Sequence, residues 1–165
     1  MAAMKDFIII GNANAAISKN VFPLFKDGKV RFGYSKRGMD FDTDEGVKNI
    51  NAVWYVTFPV KRKPLILTQR YFPAKYPKYD DYDAIDVNEV KMIPHDYDGI
   101  MGVPITFLDK YCPTQFEIVG CDEPCINLGT YSKMPYYKEL KSRQKYFNGK
   151  LCQKTYHRLF IKKVS

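Results

Sequence analysis

Ala52-Val53-Trp54-Tyr55-Val56-Thr57-Phe58 is the stretch that sets the fold class, because β-branched and aromatic residues are nowhere else so dense. Such side chains fit the pleated, half-buried surface of a strand. Pro59 limits the run, and Lys61-Arg62-Lys63-Pro64 follows. Upstream, Phe7-Ile8-Ile9-Ile10 is a short continuous apolar run ending at Gly11-Asn12, the pattern of a buried parallel strand. Asn14 to Phe25 has room for a short helix, Asp27-Gly28 is a turn signal, and Val30 to Tyr34 reads as a strand. Residues 35–51 are polar and acidic and read as a loop.

Downstream, Leu65 to Thr68 reads as a further strand, and the proline-interrupted residues 71–83 read as an extended loop. Ala84 to Val87 is a short strand candidate, and Gly99-Ile100-Met101-Gly102 is a turn-rich patch. Ile105 to Tyr111 is a short helix or turn stopped by Pro113, and Phe116 to Gly120 is a strand. Lys138 to Lys145 is a helix candidate. Asn148-Gly149 signals a two-residue hairpin, and Thr155 to Ile161 is the last strand. Strands with scattered helices and no internal repeat favour α/β or α+β.

The 165 residues suit a single domain over 1–165. With 45% hydrophobic and 27% charged residues, a disordered or collagen-like chain is excluded. The net charge of +8 is unevenly spread. Residues 1–129 hold 16 basic and 17 acidic side chains, whereas the basic segment 130–165 holds ten basic ones against Glu139 alone. That asymmetry points to nucleic acid or an anionic surface, or to a solvated basic face. The start lacks the pattern of a signal peptide, and no run approaches the ~18 apolar residues of a membrane span. A cytoplasmic protein is expected, without membrane partners and with Cys112, Cys121, Cys125 and Cys152 as reduced thiols. No metal site is expected.

Chemical motifs are few. There is no Gly-x-Gly-x-x-Gly and no phosphate loop. A nucleophile–histidine site has only His95 or His157 to draw on. His157 lies in the terminal strand pattern and reads as a sheet-surface residue. Asp80, Asp81, Asp83, Asp86, Glu89, Asp96 and Asp98 are dense, but the alternation of a calcium loop is not met. They read as a solvated or lysine-paired loop. Lys61, Arg62 and Lys63 follow Trp54, Tyr55 and Phe58, while Lys141, Arg143 and Lys145 precede Tyr146 and Phe147. Cations that neutralise phosphates beside rings that stack on bases suit nucleic acid.

The stretch Tyr79-Asp80-Asp81-Tyr82-Asp83-Ala84-Ile85-Asp86-Val87, followed by Ile93 through Tyr111 with its Met101-Gly102-Val103-Pro104-Ile105-Thr106-Phe107 core, resembles the EcoRI-type adenine-specific DNA methyltransferases. Phe7–Ala15, Trp54–Phe58 with Lys61-Arg62, Gln115–Gly120, and Asn148-Gly149-Lys150 through Tyr156 and Arg158 fit the same family in the same order. The resemblance covers nearly the whole chain.

It implies a partial Rossmann-like α/β sheet with irregular DNA-facing loops. It also implies transfer of a methyl group from S-adenosylmethionine to the exocyclic amine of adenine in duplex DNA, with the base extruded first. The family's Asn-Pro-Pro-Phe loop and Gly-rich cofactor motif are not in these 165 residues. The chain therefore resembles a C-terminal half, and the expectation is a fragment or split subunit, inactive alone and working with an upstream half in trans. The alternative is a non-catalytic DNA-binding module left from a decayed modification gene. On the resemblance, Tyr55, Asn12 and Asn14 are candidate base contacts. Lys61, Arg62, Lys63, Lys141, Arg143 and Lys145 are candidate backbone contacts. No catalytic or cofactor-binding residue is assigned.

Overall fold

The protein is described from a computed structural model covering residues 5–34, 37–80, 82–122 and 144–164. The chain divides into two compact units, 1–62 and 63–165.

In the first unit, β1 (Ile8–Asn12) leads through a 3-10 turn over Ala13–Ile17 to the short helix α1 (Phe22–Lys26) and β2 (Arg31–Phe32). A hairpin of β3 (Met39–Thr43) and β4 (Gly46–Ile50) then precedes β5 (Ala52–Val56). The strand order β1-β5-β2 makes a three-stranded sheet, antiparallel in both pairings. β5 is central because its sequence supplies apolar side chains to both faces; Val53, Tyr55 and Val56 are all buried. On one face Tyr55, Phe25 and Phe32 pack edge-to-face with centroids 5.0–5.8 Å apart, the geometry that ring quadrupoles favour.

β1 departs from its expected character. It is an edge strand antiparallel to β5, with Ile8, Ile9 and Ile10 exposed. An unbroken isoleucine run reads as buried on both faces, but among the described residues only one edge of β1 finds a partner strand. The β3–β4 hairpin falls where a loop was expected. Its residues are almost all exposed, so no apolar alternation marks it. Gly46, at a φ of 102°, turns the chain while the Thr43 hydroxyl donates to its carbonyl at 2.7 Å.

The second unit is built on the order β6-β7-β11-β8. Its strands are β6 (Ala84–Asp86), β7 (Ile100–Pro104), β8 (Phe116–Cys121) and β11 (Arg158–Lys163). β6 and β7 are parallel, and the other pairs are antiparallel. β9 (Gln144–Phe147) and β10 (Lys150–Gln153) form the hairpin expected around Asn148-Gly149, whose φ values of 50° and 70° suit a two-residue turn. Gln144 and Lys145 belong to β9 rather than to a helix; residues 138–143 lie outside the described residues.

Gly99–Gly102, read as turns, instead enters β7, a central strand. Gly102 is there because a Cβ would collide with the Tyr79 hydroxyl lying across the sheet. Leu65–Thr68 forms no strand; the Gln115 side-chain amide holds Leu65 instead, accepting from its N–H at 2.6 Å and donating to its carbonyl at 2.8 Å.

The fold is thus mixed α/β, but its sheets are largely antiparallel. Among the described residues no helix is long and apolar enough to cross a membrane. Cys112 and Cys152 are not disulfide-bonded, as expected, whereas Cys121 is.

Candidate functional site

The loop after β1 is fixed by its own polar residues. Asn12 caps the following 3-10 turn, its Oδ1 accepting from the Asn14 N–H at 2.9 Å. Both asparagines are exposed, so Asn14 and the remaining face of Asn12 meet solvent. Tyr55, a candidate base contact, does not face a cleft. Its ring is only 5% exposed, and its hydroxyl donates to the Asn12 carbonyl at 2.6 Å. Burial pushes its pKa up to about 12 despite the opposing charge of Arg37. Gly11 passes directly over this ring, since a Cβ there would come within 2.9 Å of it. Tyr55 therefore holds the asparagine loop from beneath and is closed to a base.

The three basic candidates after β5 separate. Lys61 and Lys63 are exposed. The Lys61 backbone is locked to Tyr34, whose hydroxyl donates to the Lys61 carbonyl at 3.1 Å and accepts from its N–H at 3.0 Å. Arg62 is half-buried, with Nη2 donating to the carbonyls of Phe32 at 3.1 Å and Gly33 at 2.7 Å. Its guanidinium lies 5.8 Å from the centroid of the Tyr34 ring. Arg62 thus fastens the chain to the end of β2 instead of standing free for phosphates. Lys141 and Arg143 lie outside the described residues. Lys145 is in β9.

A buried network in the second unit has no counterpart in the sequence reading. Asp86, at the end of β6, accepts from Tyr79 Oη at 2.5 Å and from Arg158 Nε at 2.9 Å. Its second oxygen lies 2.7 Å from Lys154 Nζ. Burial pushes the carboxyl up, but the Arg158 charge and the donors from Arg158, Lys154 and Tyr79 outweigh it and hold it below the usual carboxylate range. Burial lowers Arg158, and Asp86 more than restores it. Beside this network, buried Asp122 pairs with His157 Nδ1 at 3.1 Å. His157 therefore sits just before β11 on a carboxylate, not within the strand.

The rest of the acidic group is used locally. Asp80 accepts from the Asn148 and Gly149 N–H groups at 2.6 Å each, bracing the hairpin turn. Asp83 pairs with Lys78 and Asp98 with Lys163, as the lysine-paired reading expects. Among the described residues no group of three or more histidine, cysteine or acidic side chains is placed to hold a metal.

An open groove of about 330 Å³ in the second unit is lined by Asn88, Lys91, Thr106, Lys110 and Tyr156, among others. Its lining mixes apolar surface with charges of both signs, Glu89 and Asp109 against Lys91 and Lys110. The carboxylate at the end of the parallel pair β6–β7 is buried and ion-paired with Arg158 and Lys154, which closes it to a ribose hydroxyl. This carboxylate thus does not fit a cofactor ribose, and no step through S-adenosylmethionine is derived from the described residues.

Among the described residues, neither the asparagine-bearing loop at the end of β1 nor the sheet locked around buried charge defines a complete active centre. Comparison with known proteins gives the class. The family described as "Adenine-specific methyltransferase EcoRI" matches residues 36–164. Type II methyltransferase M.EcoRI of Escherichia coli is 39% identical over 163 aligned residues, covering 82% of this chain and 49% of the relative. Type II methyltransferase M.MgeORF184P of Mycoplasma genitalium is 34% identical over 185 residues, covering 96% of this chain and 57% of the relative. Type II methyltransferase M.MpnI of Mycoplasma pneumoniae is 31% identical, covering 96% and 56%. No solved structure matches.

The chain belongs to the EcoRI-type family of adenine-specific methyltransferases. It spans about half the length of the curated relatives it matches.

Proposed function

We propose that this chain is the DNA-engaging portion of an S-adenosylmethionine-dependent, adenine-specific DNA methyltransferase of the restriction–modification type. It works in the cytoplasm together with the remainder of such an enzyme and does not transfer methyl groups alone. The observation that carries this is the family match over residues 36–164 combined with coverage of only about half of each relative. The absence of an Asn-Pro dipeptide and of a Gly-rich motif from the 165 residues supports it.

The chemistry gives the reason. The lone pair of adenine's amine is conjugated into the ring, so the amine attacks a methyl group poorly. Oriented acceptors for its protons stabilise the charge that develops as it attacks, and a held cofactor supplies positioning. Neither is assembled by the residues described above.

What this chain contributes is contact with DNA. Asn12 and Asn14, exposed at the end of β1, are the base-contact candidates that remain. Exposed Lys61 and Lys63, with Lys141, Arg143 and Lys145 of the basic segment, neutralise phosphates. Binding to duplex DNA should then weaken steeply with salt as counterions are released. Affinity measured by fluorescence anisotropy at low and moderate salt tests this; an affinity that does not change sinks the DNA reading. A non-catalytic module left from a decayed modification gene would show the same salt dependence but would gain no methyl transfer from any added enzyme portion.

A further inference from the structure

Residues 63–79 carry Lys63, Arg70, Lys75 and Lys78 and no acidic side chain. Apart from the isolated bridges Gln69↔Pro94 and Lys78↔Ile85, this run belongs to no sheet. Its exposure nevertheless alternates. Leu65, Leu67, Gln69 and Tyr71 are half-buried, and Ile66, Thr68, Arg70 and Phe72 between them are exposed. Alternate side chains of an extended backbone point to opposite faces. Residues 65–72 therefore lay one row on the body of the second unit and turn the other outward.

The inner row is pinned along its length. Gln115 holds both backbone groups of Leu65. The Gln69 carbonyl accepts from the His95 N–H at 2.9 Å, and the Tyr71 N–H donates to Asp96 Oδ1 at 2.7 Å. The Tyr71 ring centroid lies 4.7 Å from that of Tyr97 and 5.8 Å from that of Tyr76. Buried Tyr76 in turn donates to the Met92 carbonyl at 2.8 Å. The chain after Phe72 is closed into a turn, the Phe72 carbonyl accepting from the N–H groups of Lys75 at 2.9 Å and Tyr76 at 3.2 Å. The outward row is thus presented on an ordered backbone, so a ligand laid on it has little left to order.

That row mixes apolar and cationic groups. Ile66 is 91% exposed and Phe72 56%. The Arg70 side chain is 72% exposed, with Nε 3.5 Å from Asp96 Oδ2. Lys75 is exposed and donates to a neutral amide oxygen, Gln69 Oε1, at 2.7 Å. Lys78 pairs with Asp83, both largely exposed. Exposed ion pairs contribute little, so these cations exchange a carboxylate for a phosphate at small cost. Protein-binding faces are depleted of lysine at their centres. Cations on a braced segment with an aromatic ring between them suit phosphates flanking base edges.

We infer that the outward face of residues 66–78 lies along duplex DNA, with Arg70 and Lys75 on phosphates and Phe72 against the base edges. The inference rests on the DNA reading under "Proposed function" and names a surface for it in the second unit.

The test measures binding of the full chain to a duplex oligonucleotide by fluorescence anisotropy across a salt series. Wild type is compared with Arg70→Gln, Lys75→Gln, Phe72→Ala and Lys29→Gln. Lys29, exposed and paired with Asp27 in the first unit, is the charge control. All four positions are exposed, and thermal unfolding checks that each variant is folded.

The expected result is that Arg70→Gln and Lys75→Gln each lower the slope of log affinity against log salt by about one. Phe72→Ala weakens binding about tenfold and leaves the slope unchanged. Lys29→Gln binds like the wild type, and bound duplex protects Phe72 from hydroxyl-radical oxidation read by mass spectrometry. Arg70, Lys75 and Phe72 variants that all bind like the wild type overturn the inference and leave the DNA reading standing. A slope lowered equally by Lys29→Gln also overturns it, because the attraction is then diffuse. Polyglutamate that binds as tightly as the duplex, and is weakened by the same variants, overturns it and assigns the face to an acidic protein. A wild-type chain that does not bind the duplex, or binds with an affinity indifferent to salt, overturns the DNA reading itself and this face with it.

Discussion

The two units handle their difficult residues in opposite ways. The second buries charge, placing Asp86 and Arg158 inside a four-stranded sheet and pairing them there. The first exposes apolar surface, closing an aromatic core on one face of β5 while leaving Ile8–Ile10 on an open edge. A buried ion pair confers little net stability but makes loss of either partner costly. An exposed apolar edge is an association hazard. The second unit thus keeps its difficult residues paired inside, and the first carries its own on an exposed edge.

That contrast breaks most sharply at Arg158. Arg158→Met leaves Asp86 buried with its principal cation gone and should destabilise the second unit by about 3–5 kcal/mol, read from urea unfolding. The double variant Asp86→Leu/Arg158→Met should recover most of that loss. Gly102→Ala tests packing within the same sheet. The added methyl meets the Tyr79 hydroxyl that serves Asp86, and overpacking of this kind costs about 1–3 kcal/mol.

In the first unit the expected effects are smaller. Tyr55→Phe removes one hydrogen bond to the Asn12 carbonyl, worth about 0.5–1.5 kcal/mol. It should also loosen the asparagine loop, seen as faster amide exchange at Ala13–Ile17.

The pH response should follow the same division. Asp86 has a folded pKa below its ordinary value of 3.8. Its stabilisation is therefore complete above that value and is lost as pH falls through the lower, folded one. Acid unfolding of the second unit should set in below about pH 4 and shift upward in Arg158→Met, as tryptophan-independent circular dichroism would record. The first unit lacks such a buried pair among its described residues and should show no matching transition.

How much of this was legible in the sequence follows the same physics. β5, β6, β8 and the Asn148-Gly149 hairpin carry local signals: β-branched density, short apolar runs and turn chemistry. β7 was hidden because its Gly102 answers to Tyr79, distant in sequence, and not to any turn. The β3–β4 hairpin was hidden because exposed strands on both faces have no alternation. The isoleucines of β1 read as buried because a continuous apolar run implies two covered faces, and among the described residues neither face of this strand is covered.

Among the candidate contacts, Asn12, Asn14, Lys61 and Lys63 are exposed. Tyr55 and Arg62 were diverted inward by contacts that spacing does not reveal. Asp86 was counted among loop carboxylates because its partners Lys154 and Arg158 lie some seventy positions on. The family itself was legible, because the Met101–Tyr111 run is distinctive; its physical meaning, a packed central strand and turn, emerged only from the fold.

The account rests most directly on one assay: transfer of labelled methyl from S-adenosylmethionine to adenine in duplex DNA, by the purified chain alone and by the chain co-expressed with the unmatched portion of the Escherichia coli relative. The account predicts no transfer by the chain alone and measurable transfer by the pair. Robust transfer by the chain alone would contradict it.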